Sequence, residues 1–311
     1  MSVRRIAAVA AALALGVPAL GALDPAVAWA PTLAPTRLPL PWSAPSWYPE
    51  PARLAVLPEL DATGPSPFWG VTARAAFVYD VDAGQVLYAR SADDPRPVAS
   101  LTKLVTGLAM ASEDPDLDRE VCVDLQFHPS RNGAFSKLST GECYRGWDLL
   151  GAALVASDNR AAYGLQVVSG LEFSQFVGRM GEVSRELGMN TSRWADPSGL
   201  EDDNLSTARD MTKAVIAVAN HPVLSVAATA ESWELQPTEG RVRTLGSTDR
   251  LATRDDVEVL AAKTGYTDTA GYCFSAVIRT NGGRTIALSL LGSPSTATRW
   301  RDVEKVLQAT R

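Results

Sequence analysis

The stretch VASLTKLVTGLAM, residues 98–110, places two reactive side chains three residues apart at the start of a helical pattern. Leu101, Leu104, Val105 and Leu108 recur at helical spacing and predict an apolar stripe turned to a core. Ser100 and Lys103 lie off that stripe, on one side of the first turn, because positions i and i+3 are neighbours on a helix. A serine in this place has an ordinary use as a helix N-cap. It has a chemical use only with a base in reach, because an unaided hydroxyl is a weak nucleophile.

Two further short patterns follow. SDN, Ser157–Asn159, ends the apolar run DLLGAALVA, and KTG, Lys263–Gly265, ends a predicted strand. Each alone is a weak signal. In this order and these settings they match the motif set of penicillin-binding serine enzymes. Residue chemistry assigns the roles. Ser100 is the nucleophile and Lys103 its base, kept neutral by burial and by a second cation, Lys263. Ser157 relays a proton to the leaving amine, and Asn159 orients Lys103 and the substrate amide. Lys263 and Thr264 suit an anionic group, and Gly265 lets a peptide lie against the strand edge. Asp158 is assigned no chemistry, and Arg209 and Asp210 are expected to form structural pairs.

Around these motifs, ARAAFVYD (73–80) and GQVLYAR (84–90) read as a hairpin. Helical patterns occupy most of residues 114–220. Strands return as EVLAAKT, GYCFSAVIRT and RTIALSLLG, and a last helix spans about 296–310. The expected fold class is α+β: one five-stranded, mainly antiparallel sheet covered by helices, with an inserted all-helical subdomain at about 114–220.

The chain resembles the D-alanyl-D-alanine peptidases of the low-molecular-weight penicillin-binding protein group, peptidase family S11. Beyond the three motifs, the resemblance rests on DDPRPVASLTKLVTGLAM, LGMNTSRWADPSGLEDDNLSTARDM and KTGYTDTAGYC, and runs from about Val71 to the end. It implies a β-lactamase/transpeptidase-like fold, a site between the sheet edge and the helical subdomain, and an oxyanion hole made by the backbone N–H groups of Ser100 and Tyr266. It also implies peptidoglycan peptides as substrates and β-lactams as acylating agents. Many family carboxypeptidases carry an arginine upstream of KTG. Here the matching run is GSTDRL, with Thr248 at that place and Arg250 two positions on. That difference, with DNRAA after the second motif, resembles the endopeptidase branch.

Other schemes find less support. A class A β-lactamase needs a glutamate that activates the deacylating water, and RWADPSGLEDDN lacks its ExxLN pattern. A non-catalytic wall-binding protein would have no need of Ser100, Lys103, Ser157, Asn159, Lys263 and Thr264 together. A Ser-His-Asp triad has only His128 and His221 to draw on, both expected to be surface loop residues. The formal net charge of -6 and the lack of a basic stripe argue against nucleic acid. No spacing suits a metal, and no cofactor is expected.

Residues 1–30 read as a signal peptide. Arg4 and Arg5 precede an apolar run, and cleavage falls after Ala30 or near Gly21. An exported protein of the periplasm or cell wall is expected, membrane-associated only if the signal stays uncleaved. Half of the 20 prolines crowd into residues 31–67, predicting a semi-extended linker before a domain at 71–311. No C-terminal membrane anchor is expected. Cys122 and Cys143 flank a turn-rich segment and suit a disulfide in an exported protein, with Cys273 left as a buried strand thiol.

Overall fold

Strand β11, Thr285–Ser293, has all nine residues buried, which requires cover on both faces of its sheet. A computed structural model describes residues 70–124 and 136–311 and supplies both covers. The sheet runs in the order β2-β1-β11-β10-β9, with β1 at Ala75–Asp80, β2 at Gln85–Arg90, β9 at Val257–Thr267 and β10 at Gly271–Thr280. Every neighbouring pair is antiparallel.

Period-2 alternation divides the side chains between two cores. On one face Ala76, Val78, Phe274, Ile278, Leu288 and Leu290 meet Trp300, Val303, Val306 and Leu307 of the C-terminal helix, Thr296–Thr310. That helix starts on a capping box in which the Ser295 and Thr298 side chains bond each other's backbone N–H groups. On the other face lies the helix Ala208–Asn220, here α5, with Thr207 as its N-cap. Thr212 on this helix donates to Ser289 at 2.8 Å, so the polar groups at this buried contact satisfy one another.

The nucleophile segment differs from the sequence expectation. Ser100 lies in a 3₁₀ turn, Ala99–Leu101, and the α-helix proper, α1, begins at Thr102 and ends at Ala111. All of Thr102–Met110 is buried, not the apolar stripe alone. The off-stripe residues Lys103, Thr106 and Gly107 are covered because further helices pack around α1, chiefly α3 (Asn159–Ser169), α4 (Phe173–Glu186) and α5. At Gly107 a Cβ would meet the Leu224 methyls at 3.5 and 3.7 Å, an ordinary contact, so packing alone does not require the glycine.

The segment 114–220 is not purely helical. It holds α2 (Gly146–Leu154), α3 and α4, but also a two-stranded hairpin, β4 (Glu120–Cys122) with β5 (Cys143–Arg145). Its last helix, α5, belongs to the sheet. Cys122 and Cys143 are directly opposite in the hairpin and form a disulfide, while Cys273 is a free, buried thiol on β10. Smaller ladders pair β3 (Arg96–Pro97) with β6 (Leu205–Ser206), and β7 (Ser232–Leu235) with β8 (Arg243–Gly246). The signal-like segment, the proline-rich stretch and His128 lie outside the described residues.

Candidate active site

The end of the 3₁₀ turn, the start of α3, the loop after α4 and strand β9 converge on one amine. Lys103 Nζ lies 3.0 Å from Ser100 Oγ, 2.7 Å from Asn159 Oδ1 and 2.6 Å from the Ser198 carbonyl oxygen. A protonated amine can donate all three contacts. A neutral amine donates two, to Asn159 and Ser198, and turns its lone pair to the Ser100 hydroxyl. The site therefore accepts either state without losing a partner. Ser100 is not a helix cap: neither the 3₁₀ turn nor α1 has a side-chain cap, and the Ser100 hydroxyl is given to Lys103.

Burial sets the electrostatics. Lys103 is fully buried, and desolvation pulls its pKa down to about 8, against the opposing pull of Asp196 and then Asp158. Lys263 is also buried, and its pKa falls well below the ordinary lysine value, first from desolvation, then from the charges of Lys103 and Arg299. Burial is the leading cause for both amines, and the repulsion between them disfavours both being charged at once. Asp249 opposes the fall of Lys263, and its own carboxyl is pushed up to about 6 by burial.

Strained backbone flanks the reactive groups. Ala99, at φ 49°, and Ser157, at φ 60°, are two of the four described non-glycine residues in the left-handed region. Such conformations cost of order 1–3 kcal/mol and persist only where the surroundings hold them. Ala99 is held by Gly199, at φ 86°, where any Cβ would fall 2.0 Å from the Ala99 carbonyl oxygen. Ser157 precedes Asp158, which caps α3 by accepting from the Ala161 N–H at 3.1 Å and also receives Ser136 Oγ and the Lys137 N–H. Asp158 therefore orders the loop that delivers Asn159.

Of the eight sequence-predicted residues, Ser100, Lys103 and Asn159 are joined directly by hydrogen bonds. Lys263 faces Lys103 electrostatically, and Gly265 packs on the backbone of Val98–Leu101. Thr264 Oγ1 donates to Thr248 Oγ1 at 2.6 Å. Tyr266 points outward, 48% exposed, with its ring 4.3 Å from Tyr272 and its hydroxyl on Asp268. Ser157 is half-buried and has no hydrogen bond to Lys103 among the described contacts. Sequence reasoning missed the Ser198 carbonyl and Asp196. Their signal was the run DPSGL, quoted only as family likeness.

The remaining sequence expectations sort cleanly. Arg209 pairs with Asp93, and Asp210 with Lys213, as structural bridges. His221 is not a surface histidine: it is partly buried, and its Nδ1 accepts the N–H groups of Val223 and Leu224 at 3.2 Å, capping the helix Leu224–Thr229. Arg250 lies over the Trp300 ring, 5.6 Å from its centroid, rather than over Thr264.

A serine hydroxyl bonded to a buried lysine, an SDN turn beside it and a KTG strand opposite define a serine peptidase of the penicillin-binding type. The D-alanyl-D-alanine carboxypeptidase model of peptidase family S11 matches residues 61–294, and the chain belongs to that family. It is 33% identical over 223 residues to a D-alanyl-D-alanine endopeptidase of Pseudomonas aeruginosa, covering 69% of each chain. It is 29% identical over 238 residues to the Escherichia coli D-alanyl-D-alanine endopeptidase, covering 76% of each. The crystal structure of a D-alanyl-D-alanine carboxypeptidase from Mycobacterium tuberculosis superposes with a TM-score of 0.72 at 25% identity, over 81% of this chain and 95% of that one. The Streptomyces K15 DD-transpeptidase shares the fold, with a TM-score of 0.69 at 22% identity over 77% of this chain and 97% of that one.

Proposed function

We propose that this chain is an exported serine D-Ala-D-Ala endopeptidase that cuts cross-linked peptidoglycan stem peptides through a Ser100 acyl-enzyme. The observation that carries the reading is the buried Lys103 amine, 3.0 Å from the Ser100 hydroxyl and near neutrality in its titration. Ser100 Oγ attacks the carbonyl carbon between two D-alanine-type centres. The new C–O bond forms as the hydroxyl proton passes to Lys103. The C–N bond then breaks, and the leaving amine takes a proton by way of Ser157. Water attacks the ester, releases the acyl group and returns the proton to Ser100. A placed base of this kind is worth about 10²–10⁴-fold in rate.

The substrate lies along β9, the edge strand of the sheet among the described residues, which an extended peptide can lengthen by one strand. Lys263 and Thr264 receive its anionic group, and the N–H groups of Ser100 and Tyr266 receive the oxyanion. A β-lactam acylates Ser100 because its strained amide stands in for the scissile bond. Endopeptidase action is favoured by Thr248, which faces Thr264 with a short neutral side chain where many family carboxypeptidases have an arginine. The names of the Escherichia coli and Pseudomonas relatives agree with that choice. Export is favoured by the basic and apolar N-terminus, and no described helix is long and apolar enough to cross a membrane.

Mass spectrometry after penicillin treatment tests the acyl-enzyme: one adduct on Ser100 is expected, and none on Ser100→Ala. Incubation with cross-linked muropeptide dimers and with monomeric pentapeptides tests the bond cut. Dimer cleavage is expected to dominate; release of free D-alanine from monomers as the main reaction overturns the endopeptidase assignment. Rapid turnover of a chromogenic cephalosporin makes the chain a β-lactamase instead.

A further inference from the structure

Asp196 is 1% exposed, close to the reacting centre, and has no part in the scheme above. Both its oxygens only accept. Oδ1 takes the Gly199 N–H at 2.9 Å and the Asn204 side-chain amide; Oδ2 takes the Ser198 hydroxyl and, at 3.2 Å, the Tyr163 hydroxyl. These bonds fold residues 196–199 into a turn around the carboxylate. The turn has two products. It presents the Ser198 carbonyl to Lys103 Nζ, and it seats Gly199 against Ala99, beside the nucleophile. All four donors are neutral, so no cation touches this buried charge among the described contacts.

We propose that Asp196 is a positioning residue for Lys103: its carboxylate builds the turn that presents the Ser198 carbonyl to the amine and seats Gly199 against Ala99. The proposal rests on the reading of Lys103 as the base for Ser100. The groups facing Lys103 are few. Asp196, on the loop after α4, and Asp158, at the start of α3, face it, and Tyr163 lies behind Asp196 with Glu201 near its hydroxyl. Lys263 faces the amine from β9, with Asp249 and Arg299 behind Lys263. Among those that favour the charged amine, Asp196 contributes most, ahead of Asp158. The buried carboxylate is therefore a brake. It secures the geometry of the base and at neutral pH reduces the fraction of base present.

Asp196→Asn separates the two effects. The amide oxygen can still accept from Gly199 and Asn204, and the amide nitrogen can donate to the Ser198 and Tyr163 hydroxyls, which turn round to accept. The expected result is that the acid limb of penicillin acylation, followed from pH 5.5 to 10, moves down by about one unit. Acylation at pH 7 then rises about threefold to fivefold, while the high-pH plateau stays within a few-fold of wild type. A purely structural Asp196 predicts a lower plateau with an unmoved limb, and that outcome overturns the proposal. Tyr163→Phe provides the second arm if the first variant does not fold. It removes a hydrogen-bond donor from the carboxylate but keeps the charge, so the limb is expected to move up; an unmoved or lowered limb counts against the proposal. Failure of the parent reading looks different, because wild-type protein would then take no penicillin label at any pH.

Discussion

Gly265 on β9 lies against Ser100 so closely that a Cβ there would stand 3.1 Å from the Ser100 amide nitrogen and 2.9 Å from the Val98 carbonyl oxygen. The atoms met are backbone, which cannot rotate aside. Gly265→Ala is therefore expected to push the strand away from the nucleophile and its amide. A displacement of about 1 Å at a reacting centre costs on the order of 100-fold in rate. Acylation by fluorescent penicillin should fall by about that factor. Unchanged acylation in a folded Gly265→Ala protein would show that the strand edge does not contribute to the site.

His221 makes stability depend on pH. Burial pulls its pKa down to about 4, and its Nδ1 can accept from Val223 and Leu224 only when unprotonated. A histidine with a depressed folded pKa gives its full stability above the unfolded value near 6.5 and loses it as pH falls toward 4. Between pH 7.5 and 5 the loss is about 1–2 kcal/mol for this partly buried ring. Asp249, with its carboxyl raised to about 6, adds a slope of opposite sign: its contribution weakens as pH rises through that window. Urea melts of wild type and His221→Asn at the two pH values isolate the histidine, because asparagine keeps the cap and Asp249 cancels in the difference. Equal pH slopes in the two proteins would refute the assignment.

The disulfide is expected to act through the chain it closes. Cys122–Cys143 spans 21 residues, and a loop of that size contributes about 3 kcal/mol, or about 6–12 °C in melting temperature. The closed segment carries Ser136 and Lys137, both bonded to Asp158 at the head of α3. A Cys122→Ser, Cys143→Ser protein should melt lower by that amount and should no longer respond to dithiothreitol, whereas wild type should. Identical melting of the oxidised and reduced wild type would remove the disulfide from the stability account.

Thr248 gives a test of bond choice. Thr248→Arg places a guanidinium next to Thr264, where it can pair with a terminal carboxylate as two parallel hydrogen bonds. Release of D-alanine from a monomeric pentapeptide should rise about tenfold or more relative to dimer cleavage, since charged hydrogen bonds contribute about 1.5–3 kcal/mol. A variant whose product ratio matches wild type would mean that the terminal carboxylate is recognised elsewhere.

Local signals in the sequence were enough for the sheet and for the bonded core of the site. The strands at 257–267, 271–280 and 285–293 are long and separated by short turns, the second of them Asn281-Gly282-Gly283-Arg284, so their pattern and order along the chain are local properties. Ser100, Lys103 and Asn159 could be singled out because their types and spacing suit the proposed chemistry, and hydrogen bonds join them in the fold. What was not legible depends on distant chain. The helix after Ser100 reads as amphipathic, yet other helices enclose it, and nothing within thirteen residues can report that. His221 reads as a loop residue because its use, capping the turn that follows, leaves no periodic mark. Ser198 contributes a backbone carbonyl, which every residue has, so no side-chain pattern could single it out. Asp196 was hidden because its partners lie at positions 163, 198, 199 and 204, brought together only by the turn.

The left-handed Ala99 and the Gly199 pressed against it come from segments a hundred residues apart, so the serine acquires its reactive setting only when both are in place. If the chain is exported as proposed, it would cross the membrane unfolded with an inert hydroxyl. Under the mechanism proposed above, penicillin labelling would double as a gauge of how much of a preparation has reached its native form.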